Sequence, residues 1–301
     1  MALLCPGQGS QTPGMLNPWL ELPGAADQIA AWSAASGLDL ARLGTTAEAE
    51  EITDTAITQP LVVAATLLAA QQLSNRGLLA DRARIVAGHS VGEIAAYAIA
   101  GVISADDAVA LAATRGREMA KACAETPTGM SAVLGGDEAE VLAALADLDL
   151  TPANRNAAGQ IVAAGRLDAL AKLAENPPAK ARVRQLATAG AFHTQFMASA
   201  QDAYAAAAAE VKTSEPTATL LSNADGKPVS SAADAMEKLV NQLTRPVRWD
   251  LCTATLRERE VAGIAEFPPA GTLVGIAKRE LKGVPTLAIK TPEDLDGVAN
   301  L

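Results

Sequence analysis

Short apolar runs alternate along the chain with longer stretches whose apolar positions recur every three to four residues, the pattern of an α/β fold. Residues 2–5 read as a strand that ends in the turn Pro6-Gly7-Gln8-Gly9-Ser10-Gln11. Helical patterns continue to about residue 77. Among them, Leu61 to Ala70 is strongly apolar, too short to span a bilayer and followed by Gln71 and Gln72, so it reads as a buried helix. Thr58 is placed to cap that helix, Pro60 suits its first turn and Gly77 its exit. A strand at 84–87 and a helix at 94–100 come next. Ser104 and Asp107 then form a capping box that opens a helix reaching about residue 123.

The pattern changes after Thr126-Pro127-Thr128-Gly129. Strands at 130–134, 151–155, 160–165 and 182–188, with helices at 137–147 and 167–174, give the order βαββαβ of a ferredoxin-like unit. Residues 128–191 are therefore expected to form a small subdomain inserted into a large domain made of residues 1–127 and 192–301. The remainder predicts a helix from Thr194 to Ala209, a strand near 218–222 and helices near 231–243 and 250–261. A strand near 263–267, a helix near 272–281 and a last strand near 286–289 follow, with 291–301 loosely held.

Composition narrows the function classes. The chain has 301 residues, half of them hydrophobic, which supplies a sizeable core. Its net charge of −10 and its lack of a Lys/Arg run argue against nucleic-acid binding. Cys5, Cys123 and Cys252 are scattered, without metal-ligand spacing, and suit a reducing cytoplasm. Met1 to Cys5 runs into Pro6-Gly7 with no basic region before it, so no secretory leader is expected.

The chemistry centres on Gly88-His89-Ser90-Val91-Gly92, between the second strand and its helix. In that setting a G-x-S-x-G sequence presents a nucleophilic serine, whereas a serine in an inert Gly-rich turn is the plain alternative. Ser90 would sit at a helix N-terminus, where the Val91 backbone N–H and the positive end of the helix dipole face a developing oxyanion. Such a serine needs a neutral imidazole within reach. The chain has two histidines. His89 neighbours Ser90 in a tight turn, points elsewhere and reads as pocket wall, which leaves His193 as the base. Arg115 falls on the apolar face of the helix after Ser104, with Ala108, Leu111, Ala112, Met119 and Ala122. A guanidinium there requires an anion, either an internal Asp or Glu or a substrate carboxylate, unless it snorkels to the surface.

Six separated motifs then act together. They are Pro6-Gly7-Gln8-Gly9-Ser10-Gln11, Gly88-His89-Ser90-Val91-Gly92-Glu93, Arg115-Gly116-Arg117-Glu118-Met119, Asn154-Arg155-Asn156 with Gln160, Ala191-Phe192-His193, and Gln242-Leu243-Thr244-Arg245-Pro246-Val247-Arg248-Trp249. In this order the chain resembles, over nearly its whole length, the malonyl-CoA:acyl carrier protein transacylase family of fatty-acid and polyketide synthesis. The resemblance implies an α/β-hydrolase-like large domain with a ferredoxin-like insertion. It implies a ping-pong transfer of malonyl, from coenzyme A to the phosphopantetheine thiol of acyl carrier protein, through a serine ester. Ser90 is then the nucleophile and His193 the base, with the Gln242 backbone carbonyl orienting the imidazole in place of a triad acid. The backbone N–H groups of Gln8 and Val91 form the oxyanion hole. Arg115 holds the malonyl carboxylate, and Phe192, Met119, Asn154, Asn156 and His89 belong to the substrate site. Phe192 would crowd an α-methyl group. No metal or cofactor is implied, and the partners are malonyl-CoA and, transiently, acyl carrier protein, for a cytoplasmic monomer with no nucleic acid or membrane. The chain departs from the family pattern at Phe267-Pro268-Pro269-Ala270-Gly271 and at Ala158, which affects loop shape near the cleft.

Two rivals remain at this level. An α/β-hydrolase esterase or thioesterase would place its histidine late, yet over a hundred residues follow His193 and none is a histidine. A catalytically degenerate docking scaffold for the carrier protein would have lost the serine or the histidine, and both are present.

Overall fold

Strand β1 (Ala2–Cys5) is buried along its whole length, as a parallel strand covered on both faces must be. The computed structural model describes residues 1–78 and 84–301. After β1 come α1 (Asn17–Leu20), α2 (Ala25–Ser36), α3 (Leu40–Thr45) and the long α4 (Thr55–Asn75). Strand β2 (Ile85–Gly88) leads to α5 (Gly92–Ile99) and α6 (Ala105–Glu125). The middle of the chain forms β3 (Thr128–Gly135), α7 (Glu138–Asp147), β4 (Thr151–Ala157), β5 (Gln160–Arg166), α8 (Leu167–Glu175) and β6 (Ala181–Gln185). The rest runs through α9 (Ala198–Ala209), β7 (Thr219–Leu220), α10 (Ala232–Asn241), α11 (Trp249–Glu258), β8 (Ile264–Glu266), α12 (Thr272–Glu280) and β9 (Thr286–Ala288).

Two sheets result. The first is parallel, in the order β7-β2-β1-β8-β9. Successive residues of a strand point to opposite faces. Leu3 and Cys5 accordingly join the core built by α4, α5 and α6, while Ala2 and Leu4 join Trp249 and Cys252 of α11 and Ile276 of α12. The second sheet is antiparallel, in the order β4-β5-β3-β6, with α7 and α8 packed on one face through Val141, Leu145, Leu170 and Leu173. Its other face carries Met130 and Val162 toward the first sheet. Reciprocal backbone bonds join the two parts: Arg155 N–H to the Val247 carbonyl at 2.9 Å, and Val247 N–H to the Ala153 carbonyl at 2.8 Å. The α/β architecture with a parallel sheet and a separate βαββαβ sheet agrees with the sequence pattern.

Four details differ from it, the first being that the helix expected from Thr194 begins at Ala198, behind a 3₁₀ turn at Gln195–Met197 capped by Thr194. Helix α4 starts at Thr55, capped by the Asp54 carboxylate on the Ala56 N–H, so Pro60 lies inside the helix and Thr58 is no cap. Pro60 lacks only the N–H that would return to the Ala56 carbonyl, and burial of the surrounding helix outweighs that one bond. This helix has the length and hydropathy of a membrane span, but α2, α5 and α6 cover most of it. The helix expected to end near 243 stops at Asn241 and tightens into a 3₁₀ turn at Gln242–Thr244. The C-terminal segment is held, not loose: Pro292–Asn300 forms 3₁₀ turns behind a Thr291–Asp294 capping box, with Leu295 and Val298 fully buried.

Candidate active site

The turn between β2 and α5 is built by close approach. A Cβ on Gly88 would lie 2.1 Å from the Gly92 carbonyl, and one on Gly92 would lie 2.3 Å from the Cys5 carbonyl, so neither position has room for a side chain. The crowded turn holds Ser90 at φ 53°, a left-handed conformation that a serine adopts only when its surroundings impose it. Asn223, in the loop after β7, imposes it: its Oδ1 accepts from the Ser90 N–H at 2.9 Å and its Nδ2 donates to the Gly88 carbonyl at 2.7 Å.

His193 also has a left-handed backbone, at φ 60°. Its Nε2 lies 2.7 Å from Ser90 Oγ and its Nδ1 lies 2.8 Å from the Gln242 carbonyl oxygen. A carbonyl only accepts, so the ring proton sits on Nδ1, and Nε2 is left to accept from the hydroxyl. Burial, then the charge of Arg115, pushes the His193 pKa down to about 3, so the ring is neutral in neutral solution. The partner of Nδ1 is a neutral carbonyl, which goes against a Ser–His–acid esterase triad.

Arg115 comes from the middle of α6 and is 1% exposed. Its Nη1 donates to Gln59 Oε1 at 2.7 Å and its Nη2 to Gln242 Oε1 at 2.9 Å, while its Nε has no partner among the described residues. It neither snorkels nor forms an ion pair among the described residues: two neutral amides hold it, and most of its five N–H groups are not engaged by them.

These groups share one cleft, about 250 Å³ in volume, between the two sheets. Gln8, His89, Ser90, Val91, Arg115, Met119, Asn154, Asn156, Phe192 and His193 all line it; Gln242 stands behind the wall and reaches it through its two oxygens. Among the described residues, neither the Gln8 nor the Val91 backbone N–H meets a protein acceptor, and the Gln8 side chain is turned aside to accept from Thr55 Oγ1 at 2.8 Å. His89 is a wall residue: its Nε2 pairs with Asn156 Oδ1 at 2.9 Å and its ring meets the Trp249 ring edge-on at 5.5 Å. Met119 receives the Gln59 amide at its sulfur, 3.4 Å away, one turn beyond Arg115. Cys5 is fully buried with its thiol pKa driven up by burial and then by Glu266, which disqualifies it as a nucleophile. No group of three or more potential metal-ligating His, Cys, Asp or Glu side chains occurs among the described residues.

Sequence reasoning assigned no role to Gln59, Asn223 or Glu93. Glu93 had a signal, since it ends the Gly88–Glu93 motif and follows a serine by three residues. It is wholly buried behind Ser90. Its Oε1 accepts from the Asn223 N–H at 2.6 Å, and its Oε2 takes a short bond from Gln242 Nε2.

Residues 2–292 match the family described as the acyl transferase domain. The chain is 77% identical over 301 residues, all of both chains, to the malonyl CoA-acyl carrier protein transacylase of Mycobacterium tuberculosis (strain ATCC 25618 / H37Rv). Among solved structures it superposes on MCAT from Mycobacterium tuberculosis with a TM-score of 0.98 at 77% identity, covering 99% of each chain. It matches the malonyl-transacylase solved in complex with a type II PKS acyl-carrier protein at a TM-score of 0.93 and 29% identity, covering 99% of this chain and 98% of that one.

Proposed function

The chain belongs to the acyl transferase domain family, and we propose on that footing that it transfers malonyl from coenzyme A to the thiol of acyl carrier protein through an ester on Ser90. One observation carries the reading: a buried guanidinium with no carboxylate partner lines the same cleft as a Ser–His relay. The substrate must then bring the carboxylate.

In the first half-reaction Ser90 Oγ attacks the thioester carbonyl as its proton passes to His193 Nε2. The Gln8 and Val91 N–H groups receive the oxyanion. The C–S bond breaks, and coenzyme A leaves as a thiol with the proton from His193. In the second half the carrier's phosphopantetheine thiol gives its proton to His193 and attacks the ester, and Ser90 departs with that proton. The Gln242 carbonyl stabilises the imidazolium formed in each half. Side chains and substrates handle every proton and bond, so the reading calls on no cofactor. Phe192, 7% exposed at the cleft wall beside the base, meets the α-carbon of the acyl group and favours unbranched substrates. Arg182 and Arg184 on β6 form no ion pair among the described residues and are available to the acidic carrier. We read the protein as a monomer and as cytoplasmic, the latter in keeping with its three free cysteines.

Intact-mass analysis after exposure to malonyl-CoA should find one malonyl ester, mapped to the Ser90 peptide. Ser90→Ala should remain folded and lose it. An ester that persists on that variant would overturn the assignment.

A further inference from the structure

Glu93 lies outside the proton relay, yet two site residues depend on it. Its Oε1 accepts from the backbone N–H of Asn223, whose side chain fixes the Ser90 backbone. Its Oε2 accepts from Gln242 Nε2, which also faces the Ser90 carbonyl at 3.2 Å and Asn223 Oδ1 at 3.3 Å. With its NH₂ end held there, the Gln242 amide can turn only its oxygen toward Arg115. The Asn223 N–H and the Gln242 amide are fixed donors, and the Ser222 hydroxyl adds a third bond, so a carboxylate, with acceptors on both oxygens, answers them all.

We infer that ionised Glu93 is a positioning residue that sets the Gln242 amide so that its oxygen aims Arg115 at the acyl carboxylate. This inference rests on the reading of Arg115 as the malonyl anchor. A neutral glutamine at position 93 leaves one donor facing a donor. The Asn223 backbone N–H cannot turn, so the Gln242 amide must yield, and its NH₂ end then confronts the guanidinium. Arg115 loses one of its two acceptors, whereas the His193 contact, made through the Gln242 backbone, stays.

Protonation of Glu93 has the same effect. Burial raises its pKa to about 7, while the Asn223 and Gln242 bonds, the Arg115 charge and the Ser222 hydroxyl oppose that rise. The titratable groups coupled to it are Arg115 on α6, Tyr97 on α5, Tyr204 on α9 and Cys252 on α11; burial drives the last three pKa values up, so all four hold their charge state near neutrality. With His193 near 3, Glu93 is the group in this cluster that titrates there.

The test is kcat/KM for acylation by malonyl-CoA and by acetyl-CoA from pH 5.5 to 8.5, in the wild type and in Glu93→Gln. In the wild type the malonyl-to-acetyl ratio should fall as the pH drops through about 7. In Glu93→Gln it should be at least tenfold lower at pH 8 and flat with pH. A wild-type ratio that is flat across the range overturns the inference even if the variant does not fold, and so does a folded variant with a wild-type ratio and limb. Failure of the underlying reading looks different: the wild type would then show no malonyl preference at any pH.

Discussion

Arg115 enters the core with its charge answered by two amide oxygens. A substrate carboxylate that reaches it breaks no direct ion pair, because the nearby Glu93 carboxylate acts on Arg115 only through the field and through Gln242. Arg115→Ala should lower kcat/KM for malonyl-CoA by roughly 30- to several-thousand-fold, the scale of about 2–5 kcal/mol for breaking a buried charge pair. Acetyl transfer should change far less, and Arg115→Lys should rescue malonyl only in part, since an ammonium lacks the planar fork. Equal losses for both thioesters in steady-state kinetics would make Arg115 a residue of the fold. Its place on an apolar helix face was legible from spacing alone. Its holders were not, because Gln59 and Gln242 lie 56 and 127 residues away and neutral amides carry no periodic signal.

At the scale of elements, the β2–α5 turn reverses an ordinary propensity rule. Glycine in a helix usually costs about 1 kcal/mol against alanine. Gly92 opens α5 against the backbone carbonyls of Cys5 and Pro6, where a Cβ would lie at 2.3 and 2.5 Å. Gly92→Ala should therefore destabilise by about 1–3 kcal/mol through overpacking, and should slow acylation by pushing Ser90 off His193. Urea unfolding decides the sign, and a stabilised variant would refute the packing account. The strands and helices of the antiparallel sheet could be read from the sequence because each buries one face, so period and polarity agree. The start of α4 could not, because its apolar run masks a cap six residues ahead of Pro60. The C-terminal turns carried a readable Thr291-x-x-Asp294 box, but burial of Leu295 and Val298 depends on the distant core they meet. Asn223 is visible only once β7 stands beside β2, since its partners Gly88 and Ser90 are over 130 residues away.

Across the whole molecule, two buried groups, His193 on the cleft wall and Glu93 behind it, give opposite pH dependence to stability. The pKa of His193 drops from 6.5 to about 3 on folding, so its contribution is complete above 6.5 and is lost as the pH falls toward 3. That of Glu93 rises from 4.5 to about 7, so its contribution is complete below 4.5 and is lost as the pH rises through 7. Between 4.5 and 6.5 the two slopes oppose each other. The difference in Tm between wild type and Glu93→Gln should grow as the pH falls from 7.5 to 4.5; a constant difference would mean that Glu93 keeps an ordinary carboxyl pKa when folded. The order of the parallel sheet has a further consequence, for the chain during its synthesis. Strand β1 leaves the ribosome first but lies at the centre, and its neighbour β8 is made some 260 residues later. The antiparallel sheet, contiguous from 128 to 185, has all its strands in hand long before that. Ser90 and His193 wait for the Gln242 carbonyl, and one edge of β1 stays open until β8 follows it. The nascent protein is thus a chain with a finished middle and an open seam, its proton relay incomplete until the segment carrying Gln242 has been made.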